Sequence, residues 1–359
     1  MRIATLANAA VGHTRRWVEH FRSRGHSVRV WSLERGPVEL AAEALPAAPL
    51  PDFLRYPLAA PALSRALARF DPDLVDAHFV PNYGLLGALS GRHPLSVTAW
   101  GSDLLLAGRR SPLQRARARF VLSRADLVLA DAANLGRAAR ALGTPDDRLH
   151  VIPWGVDLAR FRMAAAREPG LLLSTRMHEP VYDLETLIAG VAPVMARRPH
   201  LHLVIAGDGS LRGALERLAA RLLPAGRYRF VGVIEPPALA AWLARAEIYL
   251  SAARSDSTSI SLLEAMASGA LPVVSDIEGN REWVEEGDGA RMFAPGDAGA
   301  LAGALERSLA EPAWSESSRA RNRRVIEQRG DATRNMARIE SLFVALGGAR
   351  RGAGVGGGR

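Results

Sequence analysis

The sequence predicts two α/β domains in tandem, each a doubly wound, Rossmann-like parallel sheet. Three observations predict it. Short apolar runs alternate with helix-period segments almost from end to end, the pattern of strands buried on both faces by helices. The alternation breaks once near the middle and then restarts. The chain's 359 residues are enough to bury two separate cores.

The elements follow in order. In the first half, residues 2–7, 27–32, 73–78, 95–99, 127–130 and 149–152 read as strands, with helices over 14–24 and 111–124 among those between them. The segment VIPWGVDLARF at 151–161 holds Pro153 and Gly155, which mark a break, and the arginine-bearing stretch 163–169 reads as an exposed linker. Strands of a second sheet are expected at 170–174, 201–206, 229–233, 248–251 and 271–275. After Asp297 the pattern is purely helical, over 298–310 and 316–346. The tail GGARRGAGVGGGR cannot bury an apolar core and reads as disordered. The expected divisions are therefore a first domain at 1–162, a second at 163–315, C-terminal helices at 316–346 that return to the first domain, and a tail at 347–359. Two such sheets leave a crevice where their carboxyl ends face each other, and open α/β sheets bind ligands at those ends.

Composition narrows the chemistry. Hydrophobic residues make up 48% and charged residues 23%, the balance of a soluble globular chain, and no run of 18 apolar residues spans a bilayer. The N-terminus reads as a strand running into a loop and lacks a small-residue cleavage site, so a cytoplasmic location is expected. There is no cysteine, which removes disulfides, thiolate metal sites and a cysteine nucleophile. All 46 basic residues are arginine, read as coding bias, and the absence of lysine excludes a Schiff base or a P-loop lysine. The net charge of +9 favours phosphate-rich partners: a sugar nucleotide, an anionic lipid surface or nucleic acid. Aromatics at 6%, without a basic–aromatic repeat, make nucleic acid the weakest of these.

The most informative stretch is SAARSDSTSISLLEAMASGALPVVSD at 251–276. It follows a strand, and Asp256 is placed to cap a helix over 257–268. Ser257, Thr258 and Ser259 would then point hydroxyls and amides out of the helix start, where the dipole favours an anion such as a diphosphate. Glu264 lies eight residues after Asp256, so two acids could grip the ends of a sugar nucleotide. The plainer alternative is a capped core helix carrying a surface glutamate.

This segment resembles the donor-binding signature of the GT4-like retaining glycosyltransferases of the GT-B fold: two acids with seven residues between, then Leu-Glu-Ala-Met-Ala-x-Gly. LLEAMASGALPVV at 262–274 carries the match. RGHSVRVWS, DPDLVDAHF, VIPWGVDLARF, LVIAGDGSLR, FVGVI and FAPGD resemble further family segments in the same order, across roughly residues 1–310. The resemblance implies the GT-B fold, with two Rossmann-like domains facing a central cleft. It implies that Glu264 binds the donor ribose and that the first acid, here Asp256 rather than glutamate, lies near the transferred sugar. It also implies an arginine on the diphosphate, which is Arg176 in STRMHEPVYDLETLI. The family's neighbouring lysine falls near Tyr182, and the chain has no lysine to replace it. Where many relatives carry a histidine before the glycine of TAWGSDLL, this chain has Trp100, so a histidine proton role cannot be carried over. Asp103 is the nearest polar candidate, with a helix cap as its alternative.

In the first domain, Gly12 would let backbone approach a ligand at a helix start, and His13 would face the cleft if the family geometry holds. His78, at a strand end, reads as structural. Backbone near Val233 is expected at the nucleotide base. In RRSPLQRARARFVLSR at 109–124, Leu113, Ala116, Phe120 and Val121 can share one helix face while Arg115, Arg117, Arg119 and Arg124 cover the rest. That suits either an anionic membrane surface or an ordinary docked helix.

The expectation is a metal-independent glycosyltransferase with Arg176, Asp256 and Asp103 as catalytic candidates. The donor contacts are Glu264, Ser257, Thr258, Ser259, Arg176, Gly12, His13 and Val233. It needs no cofactor beyond the nucleoside diphosphate sugar, and hexosyl or N-acetylhexosaminyl transfer is expected. The acceptor is a glycan, a lipid-linked molecule or a small molecule, and peripheral contact with the inner membrane face is left open. A sugar-nucleotide epimerase and a non-catalytic nucleotide-sugar binding protein are the rival readings. A nicotinamide dehydrogenase is disfavoured because no G-x-G-x-x-G follows the first strand.

Overall fold

The computed structural model describes the whole chain except residues 47–49, 107–110, 165 and 356–359, and gives 349–355 as backbone only. The chain divides into two compact units, Met1–Ile152 with Arg334–Arg359, and Pro153–Thr333.

The first unit is built on a parallel sheet of β1 (Arg2–Leu6), β2 (Ser27–Ser32), β3 (Glu43–Ala44), β4 (Leu74–His78), β5 (Leu95–Thr98), β6 (Leu127–Ala130) and β7 (Leu149–Val151). Its strand order is β3-β2-β1-β4-β5-β6-β7. The second unit repeats the plan with β8 (Leu171–Ser174), β9 (His202–Ala206), β10 (Tyr228–Gly232), β11 (Ile248–Ser251), β12 (Leu271–Ser275), β13 (Glu285–Glu286) and β14 (Gly289–Phe293), ordered β10-β9-β8-β11-β12-β14-β13. Both are Rossmann-like doubly wound domains.

Burial on both faces explains why the strands read as unbroken apolar runs. In β8, Leu171 and Leu173 enter one core with Tyr249 and Leu262, while Leu172 enters another with Ile188 and Leu203. Successive side chains point to opposite sides of a strand, so a strand covered by helices on both faces has no polar register.

Two expected elements take a different form. The segment over 316–346 is not one helix but parts of two, Pro312–Arg329 and Ala332–Val355. The break is stabilised by VIPWGVDLARF: Val156 N–H donates to Gly330 O at 2.7 Å and Ala332 N–H to Val156 O at 3.1 Å. Gly155, at φ +74°, lies so close that a Cβ there would sit 2.4 Å from Gly330 O. From Pro153 onward this segment belongs to the second unit, which starts before the boundary expected at 163. From Arg334 onward the last helix is part of the first unit. Phe343 stacks on Phe21 with centroids 5.2 Å apart, and Glu340 takes hydrogen bonds from Arg24 and His26. The backbone of that helix runs on to Val355, into the stretch expected to be a disordered tail, and residues 356–359 of that tail lie outside the described residues.

Candidate functional site

Each sheet reverses its strand order between its first and fourth strands, at β1 and β4 and again at β8 and β11. Loops leaving the carboxyl ends of such a pair diverge, and the gap between them is where doubly wound sheets take ligands.

In the second unit that gap holds Arg176, two residues beyond β8 and only 6% exposed. One terminal nitrogen, Nη1, donates to Ser259 Oγ at 2.6 Å and Ser261 Oγ at 2.7 Å. The other, Nη2, donates to Asp256 Oδ2 at 2.6 Å. The Tyr182 ring lies 4.1 Å from the guanidinium carbon, so Tyr182 contributes a cation–π face rather than a hydrogen bond. Burial alone pulls the pKa of Arg176 down, but the Asp256 carboxylate, helped by Tyr249 and Tyr182, outweighs it and moves the net shift upward. The result is a fixed positive charge held by a carboxylate, two hydroxyls and an aromatic face.

The helix that follows β11 begins later than expected. It spans Ile260–Ser268, and its cap is Ser259, whose Oγ accepts from Leu262 N–H at 3.4 Å. Asp256 lies three residues before that cap and is bonded instead to Arg176 and to Ser257 N–H. Ser257, Thr258 and Ser259 are all nearly buried in the loop ahead of the helix. Helix geometry leaves the first amides of this terminus without intrahelical acceptors, and the dipole adds positive potential. Glu264 is 8% exposed on the same helix, which removes the alternative of a solvated surface glutamate. Val233, by contrast, is 70% exposed in the loop after β10.

Several members of this cluster were not singled out from the sequence. Ser261 bridges Arg176 and the Tyr249 hydroxyl, which donates to it at 2.8 Å. Gly279 presses against the loop: a Cβ there would lie 2.1 Å from Ser257 O and 2.6 Å from Asp256 O. Gly207, at φ +117°, abuts Arg176 O at 2.5 Å in the same sense. The tight glycines were visible as residues, but what they touch comes from other strands.

The first unit carries a second cluster at its own switch point. Gly12 starts the Gly12–Ser23 helix, is exposed, and has open space where a side chain would go. His13 packs edge-on against Trp100 at 5.8 Å, and burial followed by the charge of Arg16 lowers its pKa to about 4. His78 is 1% exposed, with Nε2 2.9 Å from Asp76 Oδ2, and its ring meets both Trp17 and Trp100.

Asp103, expected among the catalytic candidates, turns inward and is 1% exposed. Its carboxyl accepts from Val80, Trp100 and Leu104 N–H at 3.0–3.1 Å. Burial raises its pKa to about 6 even against those backbone donors. Its geometry is that of a brace between two turns, and it offers no carboxylate to a ligand. Among the described residues no group of three or more His, Asp or Glu side chains could hold a metal ion.

The family described as Glycosyltransferase Family 4 matches residues 10–160, and the one described as Glycosyl transferases group 1 matches residues 168–311. A phosphatidyl-myo-inositol mannosyltransferase of Mycolicibacterium smegmatis is 32% identical over 161 residues, 43% of this chain and 41% of that protein. The sulfoquinovosyl transferase SQD2 of Arabidopsis thaliana is 27% identical over 278 residues, 69% of this chain and 52% of that protein. The chain thus aligns with about half, or less, of the length of these relatives. In fold it is similar to Anabaena HepE, solved with UDP and glucose, at a TM-score of 0.81 and 18% identity, covering 96% of this chain and 100% of that one. The sucrose-phosphate synthase of Thermosynechococcus elongatus gives a TM-score of 0.82 at 19% identity, covering 97% and 100%.

Proposed function

The chain belongs to the GT4-like family of GT-B glycosyltransferases, and on that premise we propose that it moves a sugar from a nucleoside diphosphate sugar to an acceptor hydroxyl. The transfer retains anomeric configuration and needs no metal. The observation that carries this reading is the buried Arg176 guanidinium at the β8–β11 switch point, beside the start of the Ile260–Ser268 helix.

The chemistry follows from charge. As the bond between the anomeric carbon and the diphosphate breaks, negative charge gathers on the phosphate oxygens, and the bond to the acceptor oxygen forms as its proton passes to the departing diphosphate. Arg176 and the helix-start amides supply positive potential where that charge builds, without reorganising. Three of the five guanidinium donors of Arg176 bond to Asp256, Ser259 and Ser261 while its buried Nε has no partner, and a diphosphate entering here competes with the Asp256 carboxylate for the guanidinium. Asp256 is then released towards the sugar, and Glu264 takes the ribose hydroxyls. Ser257, Thr258 and Ser259 line the phosphates, and backbone near Val233 meets the base. The sugar is a hexose or N-acetylhexosamine, and the acceptor is a glycan, a lipid-linked molecule or a small molecule. We place the reaction in the cytoplasm, at the inner face of the membrane.

The test is release of nucleoside diphosphate from UDP-, GDP- and ADP-sugars, with and without alkyl glycosides and diacylglycerol as acceptors. Acceptor-dependent release that survives EDTA, with a product NMR spectrum showing the donor's anomeric configuration, supports the reading. Conversion of the sugar nucleotide without an acceptor would make the chain an epimerase, and binding without turnover would make it a binding protein.

A further inference from the structure

Five large apolar side chains stand exposed on two helices of the first unit. Phe53, Leu54 and Leu58 are 51%, 42% and 63% exposed at the start of the Asp52–Phe70 helix. Leu113 and Phe120 are 57% and 42% exposed on the Pro112–Arg124 helix. That second helix does not divide as its sequence suggests. Val121 turns into the core with Ala118 and Leu122, leaving Leu113, Ala116 and Phe120 as an outward stripe at helical spacing. Arg117 Nη2 donates to Phe53 O at 2.6 Å and ties the two helices together. Arg109 and Arg110, part of the same expected stretch, lie outside the described residues.

The charge beside these side chains is predominantly positive, although Arg55 is paired with Glu34 and Asp52. Across Asp52–Phe70 and Pro112–Arg124 there are seven arginines (residues 55, 65, 69, 115, 117, 119 and 124) against one acid, Asp52. Arg115, Arg119 and Arg124 are exposed on the same helix as the apolar stripe. Exposed apolar clusters of this kind mark contact surfaces in soluble chains.

We propose that this face docks on an anionic lipid bilayer, with the apolar side chains entering the headgroup boundary and the guanidinium groups meeting lipid phosphates. Charge complementarity selects the occupant. A second copy of the chain would bring the same arginine-rich face against itself, and a polyanion such as nucleic acid leaves the apolar side chains without a partner. No described helix is long and apolar enough to cross a membrane, so the contact is with the surface. The inference rests on the peripheral placement proposed above and not on the transfer chemistry.

The experiment is co-sedimentation of the full chain with phosphatidylcholine vesicles, with and without phosphatidylglycerol, at low and high salt. The expected result is binding to the anionic vesicles that falls with salt. It should weaken about tenfold or more in a Phe53→Glu, Leu58→Glu double variant and in an Arg115→Gln, Arg119→Gln double variant. All four positions are exposed or lie on a solvent face, and unchanged melting and nucleotide binding in both variants confirm an intact fold. Absence of binding to anionic vesicles, or binding that both variants keep, overturns the proposal. So does a concentration-dependent dimer that Leu58→Glu abolishes, which would make the face an interface between copies. Loss of transfer activity with vesicle binding intact would count against the transferase reading alone.

Discussion

Arg176 and Asp256 form a buried ion pair, 2.6 Å between Nη2 and Oδ2, with side-chain exposures of 7% and 19%. Each comes from a different loop of the second unit, one after β8 and one after β11. The pair joins the two sides of the switch point where a donor is proposed to bind.

The first prediction follows from that pairing. Asp256→Ala leaves the buried guanidinium without its carboxylate, and breaking one side of a buried pair costs about 2–4 kcal/mol. A nucleoside diphosphate returns negative charge to the same place. Thermal melting should therefore show a lower midpoint for the variant alone and a larger nucleotide-induced rise than in the wild type. An equal rise in both would separate Asp256 from the nucleotide site.

A second prediction concerns Gly279, which reaches the site only through backbone. Its substitution by alanine would drive a Cβ into the carbonyls of Ser257 and Asp256. Donor affinity should fall at least about tenfold, with a melting loss of about 1–3 kcal/mol from the forced backbone shift. Titration calorimetry on Gly279→Ala measures the first, and unchanged affinity would show that the loop's position is not critical.

Two further predictions concern pH, and their signs oppose each other. His13 has its pKa lowered from 6.5 to about 4 by burial and by Arg16. Below the unfolded value the unfolded chain binds the proton more readily, so this contribution is intact above pH 6.5 and is lost as pH falls towards 4. Its size is on the order of 2 kcal/mol. His13→Gln should remove that slope from denaturation midpoints measured between pH 7 and 5, and an unaltered slope contradicts the burial argument.

Asp103 shifts the other way, from 3.8 up to about 6, because burial outweighs its backbone donors. Its contribution is fully present below the unfolded value and is lost as pH rises through about 6. The wild type therefore hides part of the His13 slope. Asp103→Ala leaves the amides of Val80, Trp100 and Leu104 without their acceptor and should cost about 2–4 kcal/mol. If Asp103 is a brace, kcat measured well below the melting point changes little and its pH profile keeps its shape. A profile that loses one limb would restore Asp103 as a proton donor or acceptor.

The legible parts of the fold were those fixed by local pattern. β2, β6, β11 and β12 carry the limits read from their apolar runs, because helices cover both faces of each sheet. The two-residue strands β3 and β13 are too short to show a period. The Asp52–Phe70 helix was not read from the sequence, and it runs through Pro57 and Pro61, residues that disfavour a helix interior. At the site, Arg176, Asp256 and Glu264 were legible because a motif places them. Tyr182 was noticed only as the place of the missing lysine, and its ring contact with Arg176 was not legible because ring orientation is set by the loop and not by spacing. Ser261 and Gly279 were passed over because their roles exist only where three separated segments meet. The outward stripe on Pro112–Arg124 was half legible: Leu113, Ala116 and Phe120 share a face, but only packing decides that Val121 points inward.

The most direct test of the central claim is nucleotide binding to the purified chain, read by calorimetry with UDP, GDP, ADP and dTDP in the presence of EDTA. The account predicts that one of these binds. It also predicts that Arg176→Ala weakens that binding about tenfold to a hundredfold, the scale of a lost charge-assisted contact to phosphate. Binding that Arg176→Ala leaves unchanged, or no binding by any of the four, would contradict a donor site at the β8–β11 switch point.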